Sequence, residues 1–245
     1  MKKLVIDIGN TLSKIAIFDA SVIENLQIVK EISEDKLKSF ITNNSFPELA
    51  IICAVKSYPM ALKNYLKSNC NLLELNHQTP VPIKITYTSP ETLGNDRIAL
   101  AVAGQNLYPF KNVLIINAGT CVTYDFVNNK GEYEGGAISP GLEMRFKALH
   151  QFTGKLPLID QYELSTLIGT HTVGSMVSGV INGITYEMDG FIDKYSYIYP
   201  DLKVVLSGGS AKYFDKSLKN SIFATENIVM QGLNIILDYN AEKYS

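Results

Sequence analysis

The stretch VIDIGNT, residues 5–11, decides how the rest of the chain is interpreted. It joins a short apolar run, typical of a buried strand, to a turn that contains Gly9 and Asn10. A second apolar run at residues 13–18 follows the turn directly, so the chain has room only for a tight reversal. The segment therefore predicts two neighbouring strands joined by a short turn.

The same arrangement returns 110 positions later as IINAGT, residues 115–120. Each copy has an apolar run, an Asp or Asn, a small turn with Gly and a hydroxyl, and a second strand-like run, here residues 121–127. A repeat of this kind predicts two similar domains, and we place them at residues 1–108 and 109–245.

The remaining patterns alternate between strand and helix. Further strand-like runs occur at residues 49–55, 84–87, 113–116 and 203–206, and the helical patterns include residues 96–107 and 172–195. This alternation predicts an α/β protein. Residues 135–141, which contain three glycines and a proline, read as a tight turn between a strand and a helix.

Composition excludes several classes of protein. The 245 residues are 46% hydrophobic and 19% charged, which is typical of a globular chain. The net charge is 22 − 24 = −2, so no global basic charge would recruit nucleic acid or anionic lipid. Three cysteines without metal-like spacing argue against a disulfide framework, and no apolar stretch reaches the 18 residues of a membrane span. These features predict a soluble cytoplasmic protein without nucleic-acid or membrane partners.

The two turns suit phosphate binding. A turn of Gly, Asn and Thr offers backbone N–H groups at close range, because glycine carries no side chain that would block them. Asp7 ends the preceding apolar run and needs a partner if it is buried as an ion, and the Mg²⁺ that accompanies a nucleotide is one such partner. The alternative is an ordinary hairpin turn in which Asp7 caps local N–H groups. The chain contains neither the P-loop nor the dinucleotide-binding glycine pattern.

A second candidate stretch, GNDR at residues 94–97, lies at the start of a predicted helix. Asp96 in the first turn can interact with the helix dipole, with Arg97 as its surface neighbour. Alternatively, in a phosphate-binding cleft, Asp96 is a candidate base for an alcohol and Arg97 a candidate anchor for a substrate anion.

Taken together, these motifs resemble those of the type III pantothenate kinases, a branch of the acetate-kinase/hexokinase/Hsp70/actin superfamily. Residues 7–14 resemble the first phosphate motif of the family, residues 90–97 its substrate and base motif, and residues 117–120 its second phosphate motif. The glycine-rich segment 135–141 follows in the same order. Residues 172–179 resemble the helix whose leading threonine reaches the substrate from the dimer partner.

The resemblance implies two RNase H-like domains with an ATP cleft between them, assembled as a homodimer. The implied reaction is the ATP-dependent phosphorylation of pantothenate to 4'-phosphopantothenate, the first step of coenzyme A synthesis. Two alternatives stay open: a non-catalytic ATP-binding regulator of the same fold, and a kinase for another small alcohol. Asp96 favours the enzyme over the regulator, because a regulator needs no base opposite the γ-phosphate.

The resemblance also assigns roles to individual residues. Asp96 would accept the proton of the substrate hydroxyl, and Asp7 would orient the Mg²⁺ that accompanies ATP. The residues implied to bind ATP or its phosphates are Asp7, Ile8, Gly9, Asn10, Thr11, Leu12, Ser13, Lys14, Gly119 and Thr120. The residues implied to bind pantothenate are Tyr87, Gly94, Asn95, Asp96, Arg97 and Thr172.

One position departs from the family. Where the family usually has an aspartate that helps to hold K⁺ or NH₄⁺ near the phosphates, this chain has Asn117. An amide offers a carbonyl oxygen but no charge. The sequence therefore predicts a monovalent-cation site that is weaker than the resemblance implies.

Overall fold

The structure is a computed structural model that describes residues 1–41, 46–161 and 166–241. Strands and helices alternate along these residues, as the sequence predicts. From residue 2 to residue 107 the elements are β1 (Lys2–Ile8), β2 (Ser13–Asp19), β3 (Val22–Val29), α1 (Glu34–Ile41), β4 (Leu49–Ala54), α2 (Met60–Asn69), β5 (Asn71–Glu74), β6 (Lys84–Ile85) and α3 (Asn95–Leu107). They are followed by β7 (Val113–Ala118), β8 (Cys121–Val127), β9 (Glu132–Pro140), α4 (Leu142–Gln151), α5 (Thr172–Ile198), β10 (Lys203–Ser207), β11 (Phe223–Ala224) and α6 (Ile228–Ala241).

The chain folds into two units. One comprises Met1–Leu107 and Asn227–Ser245, and the other comprises Tyr108–Glu226. The predicted boundary places helix α6 in the second domain, but the helix lies in the first unit. There the buried ammonium of Lys3 on β1 pairs with Asp238 at 2.6 Å. An apolar helix pattern does not specify which of two sheets the helix will cover, so the sequence could not place α6.

The sheet of the first unit has the strand order β3-β2-β1-β4-β5. β1 lies at its centre, antiparallel to β2 and parallel to β4. Leu4, Val5 and Ile6 are fully buried, as expected for an inner strand that is covered on both faces. This register places Asp7 at the end of β1, opposite Lys14 on one side and Cys53 on the other.

The second unit repeats this arrangement. Its five strands lie in the order β9-β8-β7-β10-β11, with β7 antiparallel to β8 and parallel to β10. Position for position, residues 111–120 show the same pattern of buried and exposed side chains as residues 1–10. The predicted pair of similar α/β folds is therefore confirmed, and Asn117 takes the place in β7 that Asp7 takes in β1.

The glycine-rich segment differs from the prediction. Gly135 and Gly136 are not in a turn but within β9, which pairs with β8 as far as Pro140. At Gly136 a side chain is impossible, because a Cβ atom would lie 1.6 Å from the carbonyl oxygen of Tyr124. Only the end of the segment, at Gly141, connects the strand to a helix.

Each unit has its own apolar core. In the first unit it is formed by the inner strands with α1 and α2, and in the second by β7, β8 and β10 with α4 and α5. Among the described residues, we find no helix with the length and apolar character that crossing a membrane requires.

Candidate active site

The first turn exposes its backbone at the end of β1 and β2. The N–H of Gly9 donates to the carbonyl oxygen of Leu12 at 3.1 Å, which closes the turn. Asn10 and Thr11 at its tip are exposed, and the apolar side chain of Leu12 is also 46% exposed. A turn that presents backbone groups and a hydroxyl to its surroundings suits oxygen atoms of a phosphate.

Asp7 lies directly beside this turn in a charged neighbourhood. Burial raises the pKa of Asp7 to about 6, and the charge of Asp96 also raises it. The ammonium of Lys14 and a hydrogen bond from the Cys53 thiol act in the opposite direction. Asp7 and Asp96 are carboxylates close enough for the charge of one to raise the pKa of the other, and such a pair is a donor set that suits a divalent cation. The residues present therefore fit the Mg²⁺ that accompanies ATP.

Cys53 was not singled out in the sequence, although it contacts the site. Its side chain is completely buried, and burial raises the pKa of the thiol well above its usual range, as do the charges of Asp7 and Asp96. The thiol therefore stays protonated and donates a hydrogen bond to Asp7. The contact follows from the strand register, which places Cys53 opposite Asp7. The register becomes known only with the fold, so the sequence carried no signal for this residue.

Asp96 and Arg97 lie in the first turn of α3, as predicted. The backbone N–H of Arg97 donates to Oδ1 of Asp96 at 2.9 Å, which orients the carboxylate. Burial raises the pKa of Asp96, whereas that hydrogen bond and the Arg97 charge lower it. Arg97 itself is only 6% exposed. The first unit thus holds a half-buried carboxylate with an elevated proton affinity near the turn and Asp7.

Two ammonium groups reach the same region. Nζ of Lys14 donates to Oδ1 of Asn227 at 2.8 Å, and Nζ of Lys56 donates to the carbonyl oxygen of Asn10 at 3.0 Å. Lys14 belongs to the predicted phosphate motif, whereas Lys56 had no signal in the sequence. Cations at the edge of an anion-binding turn favour a negatively charged ligand.

The second turn has an equivalent construction in the second unit. The N–H of Gly119 donates to the carbonyl oxygen of Cys121 at 2.9 Å, and Thr120 is exposed at the tip. Two glycines pack on this turn. A Cβ atom at Gly141 would lie 2.3 Å from the carbonyl oxygen of Thr120, and one at Gly208 would lie 2.4 Å from that of Ala118. Backbone therefore packs closely against this turn at two points, because glycine carries no side chain, while Thr120 at the tip stays exposed.

Replacing Gly141 tests this packing. We expect Gly141→Ala to lower the free energy of unfolding by about 1–3 kcal/mol, because the added methyl group meets backbone atoms that cannot rotate away. The KM for ATP should rise as the turn is displaced. Thermal melting and steady-state kinetics measure both effects, and Gly154→Ala is the control, since a Cβ atom there meets nothing within 4 Å. Wild-type stability and KM in Gly141→Ala would contradict the tight packing.

Two further predicted residues belong to other segments of the chain. Tyr87 is half-buried in the segment after β6, seven residues before Gly94. Thr172 is the first residue of α5 and is exposed. The structure thus brings together the predicted residues of the first turn with Asp96, and those of the second turn with Gly141 and Gly208, within their separate units.

The fold and the turns define the class of protein. Two α/β units, each with an inner strand that ends in a glycine-containing turn, characterise the actin-like ATPase and hexokinase class of folds. A ROK hexokinase from Thermus thermophilus is similar in structure, with a TM-score of 0.52 and 13% sequence identity over 99% of this chain and 100% of that chain. At this identity the likeness shows the fold alone.

Sequence comparison then identifies the family. The sequence model of the type III pantothenate kinases matches residues 3–194. A type III pantothenate kinase from Christiangramia forsetii is 45% identical over 97% of this chain and 98% of the relative. Another, from Bacteroides fragilis, is 41% identical with the same coverage. The chain belongs to the type III pantothenate kinase family.

Proposed function

We propose that this chain transfers the γ-phosphoryl group of ATP to the primary hydroxyl group of pantothenate, in the cytoplasm, as the first step of coenzyme A synthesis. The observation that carries the proposal is the position of Asp96. Its carboxylate is half-buried, has a raised pKa and lies near Asp7 and the first turn. Membership of the family supports pantothenate as the substrate, and the position of Asp96 near Asp7 supports its role as the base.

The proposed roles follow from the chemistry of each group. Asp96 accepts the hydroxyl proton while the new O–P bond forms and the bond between the γ-phosphorus and the bridging oxygen breaks, so ADP leaves. A carboxylate with a raised pKa is a stronger base than an ordinary one, which suits this step. Asp7 would hold the Mg²⁺ that accompanies ATP, and the ion would neutralise charge on the phosphates. Most of the catalysis comes from positioning and electrostatic stabilisation.

The other predicted residues divide between the two substrates. The first turn, with Asn10, Thr11 and Lys14, holds phosphate oxygens, and so does Thr120 of the second turn. Pantothenate carries a carboxylate, and the guanidinium of Arg97 is its natural partner because an Arg–carboxylate pair is charge-assisted and often bidentate. The remaining proposed pantothenate contacts are Tyr87, Gly94, Asn95 and Thr172.

The proposal is tested by measuring ADP release with purified protein, ATP and Mg²⁺ against a panel of alcohols. Pantothenate should give the highest kcat/KM, well above pantetheine and simple sugars. A preference for another alcohol would identify a kinase of different specificity. ATP binding without ADP release in the presence of any alcohol would support the non-catalytic regulator instead.

Asn117 predicts an unusual response to K⁺. A carboxylate about 4 Å from a cation contributes about 1 kcal/mol in water and about 4 kcal/mol at an effective dielectric constant of 20. An amide at this position should weaken a monovalent-cation site by one to a few powers of ten, at about 1.4 kcal/mol each. We therefore expect Asn117→Asp to show saturable activation at lower K⁺ than the wild type.

Kinetics over a KCl titration measure this difference. Choline chloride keeps the ionic strength constant, because screening alone alters the binding of charged substrates. Identical K⁺ curves for the two proteins would mean that residue 117 does not contact the cation.

We also propose that the active protein is a homodimer in which Thr172 serves the partner's substrate site. Thr172 lines an open cavity of about 1010 Å³ together with Leu149, Phe152 and Met176. The side chain of Phe152 is 81% exposed, and exposed apolar surface of this kind is typical of interaction sites.

Sedimentation should therefore give twice the mass of one chain, and Phe152→Glu should yield a monomer with little activity. Exposed Phe110, which lies outside this cavity, supplies the control variant Phe110→Glu. A monomer with full activity would contradict the shared site.

A further inference from the structure

A polar cluster in the second unit takes no part in the proposed reaction. Its centre is the carboxylate of Glu187 on α5, which accepts three hydrogen bonds. Tyr124 donates its hydroxyl to Oε1 at 2.9 Å, while Ser139 and Nη2 of Arg145 donate to Oε2 at 3.1 and 2.6 Å. The cluster joins β8, β9, α4 and α5 around one carboxylate.

Arg145 connects this carboxylate to the backbone near the turn. Its Nε donates to the carbonyl oxygen of Pro140 at 2.8 Å, and its Nη2 also donates to the Ser139 hydroxyl at 2.9 Å. Pro140 pairs with Cys121 in the β8–β9 ladder. The next residue, Gly141, donates its N–H to the carbonyl oxygen of Thr120 at 3.1 Å. The path from Glu187 to Thr120 is therefore continuous and consists of hydrogen bonds and of the peptide bond between Pro140 and Gly141.

The cluster is built to hold one geometry. The side chains of Arg145 and Glu187 are only 21% and 25% exposed, so their pairing is screened less than a surface ion pair. The Tyr124 ring stacks on Phe191 with centroids 4.0 Å apart. Burial and the Glu187 carboxylate raise the pKa of Tyr124, so its hydroxyl stays a donor. Losing the Glu187 carboxylate would leave three donors without their shared acceptor.

We propose that Arg145 and Glu187 are positioning residues that fix Pro140 and Gly141 against the second turn, and thereby set the affinity for the phosphates of ATP. The proposal rests on the proposed function, in which Thr120 binds phosphate. Gly141 follows Pro140 directly in the chain and is hydrogen-bonded to Thr120, so a displacement of Pro140 is transmitted to the turn. A misplacement of about 1 Å near a reacting group can cost about a hundredfold in rate.

The test is to compare Arg145→Gln, Glu187→Gln and the double variant with the wild type. Each single variant should lower kcat/KM for ATP by about tenfold to a hundredfold, while the KM for pantothenate at saturating ATP changes less than about twofold. The double variant should lose no more than the worse single variant, since both residues act through one path. Hydrogen exchange of the Gly141 amide should become faster in all three. Binding of a fluorescent ATP analogue should weaken in parallel.

Asp193→Asn is the matched control, because Asp193 lies on α5 like Glu187 but takes no part in the cluster. Its carboxylate pairs with Nζ of Lys219, and the two atoms are 2.7 Å apart. It should leave ATP kinetics unchanged. If the Gln variants fail to fold, Tyr124→Phe tests the positioning role, because it keeps the stacked ring and removes only the hydrogen bond to Glu187. This variant should raise the KM for ATP about threefold or more.

Unchanged ATP kinetics, an equal loss for both substrates, or an equal loss in the control would overturn the positioning role. Nucleotide binding is measured without an acceptor, so this result stands apart from the choice of pantothenate as substrate. A wild type that binds ATP but phosphorylates no alcohol would refute the proposed function and leave the positioning role to be judged by binding alone.

Discussion

Asp96→Asn is expected to fold like the wild type and to lose about 10²–10⁴ in kcat, which corresponds to roughly 3–5.5 kcal/mol of activation free energy. The amide has nearly the same shape as the carboxylate, and its oxygen can still accept the hydrogen bond from the Arg97 N–H. It cannot accept a proton from the substrate. The charge that raises the proton affinity of Asp7 is also removed, so no loss of stability is expected.

Thermal melting and kcat should be measured on the same preparation. Asp35→Asn is the control, because Asp35 is also an acidic residue in the first turn of a helix but lies in α1. Any effect of the helix dipole alone should be similar in the two variants. Undiminished turnover in Asp96→Asn would remove this residue from the mechanism and favour a regulator of the same fold.

Arg97→Ala should raise the KM for pantothenate far more than the KM for ATP. The guanidinium is 6% exposed, and the loss of a charge-assisted pair in such a site is expected to cost about 2–5 kcal/mol of binding free energy. Arg97→Lys separates charge from geometry, because lysine keeps the charge but lacks the planar fork that binds both carboxylate oxygens. It should recover only part of the affinity.

Steady-state kinetics with each substrate varied in turn measure the two KM values. Thermal melting shows whether removing the buried Arg97 side chain also lowers the stability of the protein. If both KM values rise equally, Arg97 supports the structure of α3 and the pantothenate carboxylate binds elsewhere.

The strands and turns could be predicted because their signals are local. An apolar run before a Gly-Asn or Ala-Gly turn fixes both a strand and its end, and the 110-residue repeat gave the second unit. β3 was missed because it carries polar residues such as Glu24, Asn25 and Gln27 and is largely exposed. The glycines of β9 lie in a strand where the sequence predicts a turn, because nothing in the sequence shows that Tyr124 packs against Gly136.

The site was less accessible to sequence reasoning, because its contacts are not local. Asp7 and Asp96 are far apart in the chain, and only the family resemblance joined them. Cys53 became visible through the register of β1 and β4. Arg145 and Glu187 lie 42 residues apart on different helices, and their pairing depends on how those helices pack. The roles of all the predicted site residues, including Tyr87 and Thr172, stay predictions.

The most direct test of the central claim is to identify the product of the reaction. Purified protein should be incubated with ATP, Mg²⁺ and pantothenate, and ADP, inorganic phosphate and phosphorylated pantothenate should be quantified together by chromatography and ³¹P NMR. We predict one 4'-phosphopantothenate for each ADP, with the phosphate on the primary hydroxyl and a rate reduced about 10²–10⁴-fold in Asp96→Asn. ADP accompanied by inorganic phosphate, with pantothenate recovered unchanged, would contradict the assignment as a pantothenate kinase.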